Sequence, residues 1–239
     1  MKKRSSSLKI FLWISILLTA FCNSQTTSQD IYISKYPSGS ITDGTKENPY
    51  TSITDALDFI TQGITTTTKE FILNIAPAFE TYELTKSYEF QSKTLFNKLT
   101  IQKWMNAPLP KGQSDDLPKL NFTKSCLAFS DITKVTFQSL NMIGSQGSLI
   151  LNSTDLKLTN LKFEEKFGSE TTPFITVNDA NLVDMSRLDI TSTAYYTLVN
   201  YRNTNPTINP LIILDKVTYT IDARPELYGE QSLFNFEGL

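Results

Sequence analysis

A short apolar pattern recurs four times in the second half of the chain, and it constrains the fold more than any other feature. Each copy has the form apolar-x-apolar-x-x-apolar-x-apolar, and successive copies are 21, 27 and 29 residues apart. The apolar positions are Val135, Phe137, Leu140 and Met142; Leu156, Leu158, Leu161 and Phe163; Val183, Met185, Leu188 and Ile190; and Ile212, Leu214, Val217 and Tyr219. A further short apolar strand precedes each copy, at 126–129, 148–151, 174–177 and 196–199. This repeat predicts a solenoid with three strands per coil, in which each strand pairs with its counterpart in the next coil.

The outward positions of the repeat carry charges that fit this register. Lys157 is predicted to lie beside Asp184, and Lys162 beside Asp189, at the strand spacing of about 4.8 Å. One interior column is predicted to contain Phe137, Leu158, Met185 and Leu214. The outward residues of the same strands are Thr136, Lys157, Asp184 and Ile213. Opposite charges would then alternate along a solvated face, where stacked like charges would repel.

The N-terminus has the three parts of a cleavable signal peptide. Basic residues occupy positions 2–4, the apolar run Ile10–Phe21 follows, and the small residues Ala20 and Cys22 precede an expected cut before Asn23. The apolar run is shorter than the roughly 20 residues that a membrane span needs. The sequence thus predicts a signal peptide at 1–22 and a mature chain, 23–239, that is secreted or held on the extracellular face of the cell surface.

The composition of the mature chain excludes several classes of function. Cleavage removes four of the 22 basic residues and none of the 24 acidic ones, so the formal charge is 18 minus 24, or −6. An acidic chain argues against nucleic acid and anionic membranes as partners. Histidine is absent, which excludes histidine-based zinc sites, catalytic triads and acid–base chemistry. Cys126 is the one cysteine left, so no internal disulfide can form, and it is predicted to be a small buried hydrophobe.

One segment after the signal peptide has helical periodicity. Its apolar stripe, at the spacing i, i+3, i+4, i+7, consists of Ile53, Ala56, Leu57 and Ile60. Ser52 and Asp55 resemble a capping box at the start of the helix, and Gly63 is the expected end.

A family resemblance rests on this helix and on the segment before it. The residues that carry it are Asp30–Ser34, Asp43–Thr45, Asn48–Tyr50, Ser52–Ile53 and Ala56–Leu57. They resemble the opening of pectin-lyase-like domains, and the repeat extends the resemblance over most of the mature chain. The resemblance implies an all-β fold, a right-handed parallel β-helix, with a short N-terminal α-helix that covers an exposed strand edge. The last strand, 232–236, stops in mid-coil, so the domain is expected to be incomplete at its C-terminal end or to be completed by a partner chain.

The resemblance does not extend to catalytic residues. Lyases of this family use carboxylates to hold calcium and an Arg or Lys as base, and the hydrolases place Asp residues in adjacent coils. The polar positions on the strands preceding the repeats are Ser130, Asn152, Thr176, Asn178 and Asn200, none of them charged. No catalytic, cofactor-binding or metal-binding residue is therefore predicted. The acidic pairs Asp115-Asp116 and Glu164-Glu165 are predicted to lie in solvated turns.

Two long loops, Met105–Pro118 and Asn200–Pro210, offer candidate binding residues. The second loop lies among Tyr195, Tyr196, Tyr201 and Arg202. Aromatic rings and an Arg can stack on sugar rings and bind their hydroxyls, but the same residues can also pack back on the coil. Asn121 and Asn152 begin Asn-x-Ser/Thr sequences and are candidate glycosylation sites.

Three functions remain open at this point. The leading hypothesis is a non-enzymatic extracellular or cell-surface β-helix with a binding, adhesion or structural role, whose partner is a carbohydrate or another extracellular protein. The second is a carbohydrate-active enzyme, a polysaccharide lyase or glycoside hydrolase, with active residues in the loops or beyond Leu239. The third is an assembly subunit that a partner chain completes.

Overall fold

The computed structural model describes residues 27–62, 68–91, 96–144, 147–165, 173–192, 197–221 and 232–238. The predicted signal peptide, the helix end at Gly63 and the tyrosines Tyr195 and Tyr196 lie outside these ranges. Within them the chain forms one α-helix and sixteen β-strands. No helix in these ranges has the length and apolarity to span a bilayer.

The strands are short, and most of them end at a turn after three to six residues. In chain order the elements are β1 (Thr27–Ile33), α1 (Ile53–Gln62), β2 (Thr68–Ile75), β3 (Tyr82–Glu83), β4 (Tyr88–Gln91), β5 (Lys98–Lys103), β6 (Lys119–Asn121), β7 (Leu127–Ser130), β8 (Lys134–Gln138), β9 (Asn141–Gly144), β10 (Leu149–Asn152), β11 (Asp155–Glu165), β12 (Ile175–Asn178), β13 (Leu182–Ser192), β14 (Val199–Arg202), β15 (Leu211–Ile221) and β16 (Phe234–Glu237).

These strands make two sheets, and every paired strand runs parallel to its neighbour. Sheet A has ten strands, in the order β1-β2-β5-β8-β11-β9-β6-β3, with β13 beside β11 and β15 beside β13. Sheet B has six, in the order β4-β7-β10-β12-β14-β16. The fold is therefore all-β and parallel, as the sequence predicts. Each repeat contributes one strand to sheet B and then a longer, bent stretch to sheet A.

The predicted register is confirmed residue by residue. Phe137 pairs with Leu158, Leu158 with Met185, and Met185 with Leu214. The column continues towards the N-terminus through Ile101, Leu73 and Ile31. Its members are buried except Leu214, which is 46% exposed because, within the described ranges, no strand pairs with the far side of β15.

A single residue makes the corner in the middle of each repeat. Ser139, Asn160, Arg187 and Lys216 all have φ between 54° and 55°, in the left-handed region. One left-handed residue turns the chain and resets the alternation of side chains, so the apolar residues on both arms of the corner face the core. This is why two residues, rather than one, separate the inner apolar positions of the repeat.

The helix α1 lies against the first strand of each sheet. Its predicted stripe of Ile53, Ala56, Leu57 and Ile60 is fully buried. The backbone N–H of Asp55 donates to Ser52 Oγ at 3.1 Å, which confirms Ser52 as the N-cap. The helix packs on β1, and the hydroxyl of Tyr88 in β4 lies 3.0 Å from the carbonyl oxygen of Thr54.

Candidate binding surface

The outward side of sheet B, called here the amide face, gathers the polar residues that precede the repeats. Alternation along each strand puts two residues per strand on this side. One column holds Glu89, Ala128, Ile150, Thr176, Asn200 and Asn235, and the other holds Gln91, Ser130, Asn152, Asn178, Arg202 and Glu237. The five uncharged residues that the sequence analysis singled out all lie here. The structure also places three charged residues on this face: Glu89 on the first strand, Arg202 on the fifth and Glu237 on the sixth.

Hydrogen bonds between neighbouring strands fix the amide side chains. Asn178 Nδ2 donates to Asn152 Oδ1 at 2.8 Å, and Asn235 Nδ2 donates to Asn200 Oδ1 at 2.9 Å. An amide group has two N–H donors and an oxygen with two lone pairs, so a single ladder bond does not use its full capacity. The amide face thus presents ordered donors and acceptors suited to hydroxyl or peptide groups.

The carboxylates of the amide face lie too far apart to act as an acid–base pair. Glu89 is on β4 and Glu237 on β16, the two edge strands of sheet B. Five strand spacings of about 4.8 Å separate them by roughly 24 Å. Glycoside hydrolysis by two carboxyl groups needs a separation of roughly 5 to 10 Å. Among the described residues, this face accordingly fits binding better than hydrolysis.

The structure places two of the candidate ligand residues around the second loop, Tyr201 and Arg202, on opposite sides of sheet B. The sequence analysis predicted the last of the preceding strands at 196–199, whereas β14 spans Val199–Arg202. Tyr201 therefore points inward, is fully buried, and donates its hydroxyl to the carbonyl oxygen of Ala180 at 3.0 Å. This burial removes Tyr201 from any ligand surface. Arg202 is exposed on the amide face, with Nε 3.9 Å from Glu237 Oε2.

The second loop is fastened to the turn of the preceding repeat by one carboxylate. Asp179 accepts hydrogen bonds from the backbone N–H and the hydroxyl of Thr204 and from the backbone N–H of Asn205. The bond from the Thr204 backbone does most to hold the pKa of Asp179 below its usual value. These bonds tie 204–205 to the preceding repeat while leaving Thr204 and Asn205 exposed.

A charged cluster on sheet A was missed by the sequence analysis. Lys157 pairs with Asp184 at 2.9 Å as predicted. Lys162 lies in register with Asp189, but its ion pair is with Glu164 at 2.9 Å on its own strand. Glu164 and Glu165 belong to β11, so the prediction that they lie in a solvated turn was wrong. Glu164 shares a face with Lys162 because residues two apart on a strand point to the same side.

This group, the Lys162 cluster, consists of Lys162, Glu164 and Asn141. Asn141 Nδ2 donates to Glu164 at 3.1 Å, and Asn141 itself is buried. Burial works against the charge of Glu164, but the hydrogen bonds from Lys162 and Asn141 hold the pKa of its carboxyl below the usual value. The hydrogen bond to Glu164 in turn raises the pKa of Lys162. Strand alternation is the sequence signal that places Lys162 and Glu164 on one face.

The remaining candidate residues lie in separate places. Asp115 is in the first loop, as predicted, and its carboxylate pairs with Lys103 at 3.0 Å. Cys126 precedes β7 and is only partly buried, so the prediction of a buried hydrophobe was too strong. Asn121 donates to Glu83 at 3.1 Å, and Asn152 belongs to the amide ladder. Glycosylation of either residue stays a prediction.

No three His, Cys, Asp or Glu side chains are grouped to hold a metal ion in the part of the chain that the structure describes. The chain matches no protein-family model, no curated protein and no solved structure.

Proposed function

We propose that the chain is a right-handed parallel β-helix of the pectin-lyase-like kind, secreted after removal of residues 1–22, that serves as a rigid binding or adhesion scaffold. The observation that carries the proposal is the in-register column Ile31, Leu73, Ile101, Phe137, Leu158, Met185 and Leu214. Such stacking gives a stiff rod, because each repeat contacts only its neighbours and contributes an equivalent strip of surface.

The amide face supports the binding role. Its residues are uncharged on the second to fourth strands, where side-chain hydrogen bonds along the stack join Ser130, Asn152 and Asn178. A pre-ordered surface loses less conformational entropy on binding than a flexible one does. Its width of six strands suits an extended ligand, such as a polysaccharide or a peptide segment, that lies along the stack.

Substitutions on the amide face test this role. Asn178→Lys and Asn200→Lys should abolish retention of the purified chain on cell-wall polysaccharide or extracellular-matrix protein, whereas Thr136→Lys on sheet A should not. Equal retention of all three variants would contradict the proposal. Secretion is tested separately by N-terminal sequencing of the exported protein, which should begin at Asn23.

A second candidate function, polysaccharide cleavage, would use the Lys162 cluster. Its lysine and glutamate, 2.9 Å apart on a sheet surface, are the residue types of an acid–base site. Their ion pair keeps both groups charged, so cleavage would require a bound substrate to separate them before either could transfer a proton. The test is release of reducing or unsaturated ends from a panel of neutral and acidic polysaccharides. Activity that Lys162→Met abolishes and Lys157→Met retains would establish the enzyme and displace the scaffold proposal.

A further inference from the structure

A groove of about 530 Å³ lies between α1 and the loop that follows β1. Its walls are Thr42, Tyr50, Asp55, Asp58, Phe59 and Gln62. The four helical members are spaced i, i+3, i+4, i+7, so they form a second stripe on α1 beside the buried one. The volume lies within the range of small-ligand sites, and the groove is broadly open to solvent. The groove is separate from the amide face, which the proposed scaffold role uses.

The loop side of the groove is held in place by a glycine. Gly44 has φ +81°, and a Cβ at this position would overlap the ring of Tyr50. The backbone N–H groups of Asp43 and Gly44 both donate to the carbonyl oxygen of Asn48 at 3.0 Å, which closes the turn. The Tyr50 ring is therefore packed directly on the backbone, and its position does not depend on a ligand.

The helix side is fixed by Asp58. Its carboxylate accepts from Lys86 Nζ at 2.6 Å and from the Tyr88 hydroxyl at 2.8 Å. Lys86 therefore compensates the charge of Asp58, and Asp55 keeps the local field acidic. A groove of this kind would repel a polyanion.

The chemistry of the groove combines aromatic rings with both donors and acceptors. The rings of Tyr50 and Phe59 have centroids 6.2 Å apart and an interplanar angle of 46°. Thr42, Gln62 and the Tyr50 hydroxyl can donate and accept, while the carboxylates of Asp55 and Asp58 accept. A cation would use the acceptors and the ring faces but leave the donors unused. A sugar uses all three, because its hydroxyls both donate and accept and its C–H side packs on an apolar ring face. We propose that this groove binds an uncharged oligosaccharide.

This inference goes beyond the proposed scaffold role and stands independently of it, because α1 and the 42–50 loop form the site without any residue of the amide face. The test uses the full chain and calorimetric titration with uncharged hexasaccharides of glucose, mannose, xylose, galactose and N-acetylglucosamine. Polygalacturonate and an arginine-rich peptide serve as the competing ligand classes.

The variants are Phe59→Ala and Gln62→Ala, and the matched control is Phe79→Ala, an exposed aromatic residue outside the groove. At least one uncharged hexasaccharide should bind, with affinity reduced about tenfold in each groove variant and unchanged in the control. The Gln62 side chain is exposed, so this variant tests the site even if Phe59→Ala unfolds the chain. Absence of binding by the folded chain, equal binding by all variants, or groove-dependent binding of the peptide instead would overturn the inference. Retention through the amide face is measured on the same samples, which separates the two proposals.

Discussion

Truncation of two leucines in one column should have very different costs. Leu158 and Leu214 occupy equivalent positions two repeats apart, but Leu158 is 0% exposed and Leu214 is 46% exposed. Replacing Leu158 by Ala loses the transfer free energy of the side chain and leaves a closed cavity, which together cost about 2 to 5 kcal/mol. Full burial of a leucine side chain contributes roughly 1.5 to 3 kcal/mol, and Leu214 is only about half buried, so its truncation loses about half of that free energy. The space that Leu214 leaves opens to solvent and adds no closed cavity, so Leu214→Ala should cost roughly 1 kcal/mol.

The two variants are compared by urea unfolding, with the slope against urea checked for equality so that the midpoints report free energy. Leu158→Ala should lose at least about 1 kcal/mol more than Leu214→Ala. Similar losses would refute the reasoning, because they would mean that further chain covers β15 or that Leu158 is not enclosed by two repeats. Leu158→Met, a swap of similar volume, should cost less than about 1.5 kcal/mol and controls for general intolerance at this position.

Further predictions concern single residues. Ser52→Ala should lose about 0.5 to 2 kcal/mol of unfolding free energy through the helix cap, measured by thermal unfolding against Ser52→Asp, which keeps an acceptor. Arg187→Asn should stabilise by up to about 1 kcal/mol, because asparagine tolerates the left-handed corner that Asn160 already occupies; destabilisation would contradict the corner. The hydrogen bond from Lys86 lowers the pKa of Asp58 in the folded state, so its stabilising effect should be present at neutral pH and lost as the pH falls below about 4. Asp58→Asn should flatten that part of the stability–pH curve, and an unchanged curve would show that Asp58 is not the group.

The core was predictable because alternation, spacing and a two-residue gap occur together in four repeats. The same column also passes through β1, β2 and β5, which the sequence pattern did not reveal. Ile31 and Leu73 are 42 positions apart in the sequence, because the loop and α1 are inserted between them. An insertion of this size hides a period of 21 to 29 residues, although the pairing of the strands is unaffected by it.

Charge pairing followed the strand register for Lys157 but not for Lys162. Lys157 pairs with Asp184 across the strands as the register requires. Lys162 has two candidate acceptors, Asp189 in register on the next strand and Glu164 two residues along its own, and it pairs with Glu164. Glu164 also receives a hydrogen bond from Asn141, which holds its carboxylate in position. A pairwise register argument contains no such third residue, so it could not decide between the two acceptors.

The candidate site depended on strand boundaries, which the sequence determines least well. A strand at 196–199 would leave Tyr201 and Arg202 together in a loop, whereas a strand at 199–202 sends them to opposite sides of sheet B. The structure has the strand at 199–202, because Tyr201 pairs with Val177, and the column that contains Val177 faces the core. The tyrosine ring then contributes to stability and the guanidinium to the surface. The proposed binding by this part of the chain would therefore use Asn200 and Arg202 and not the buried ring of Tyr201.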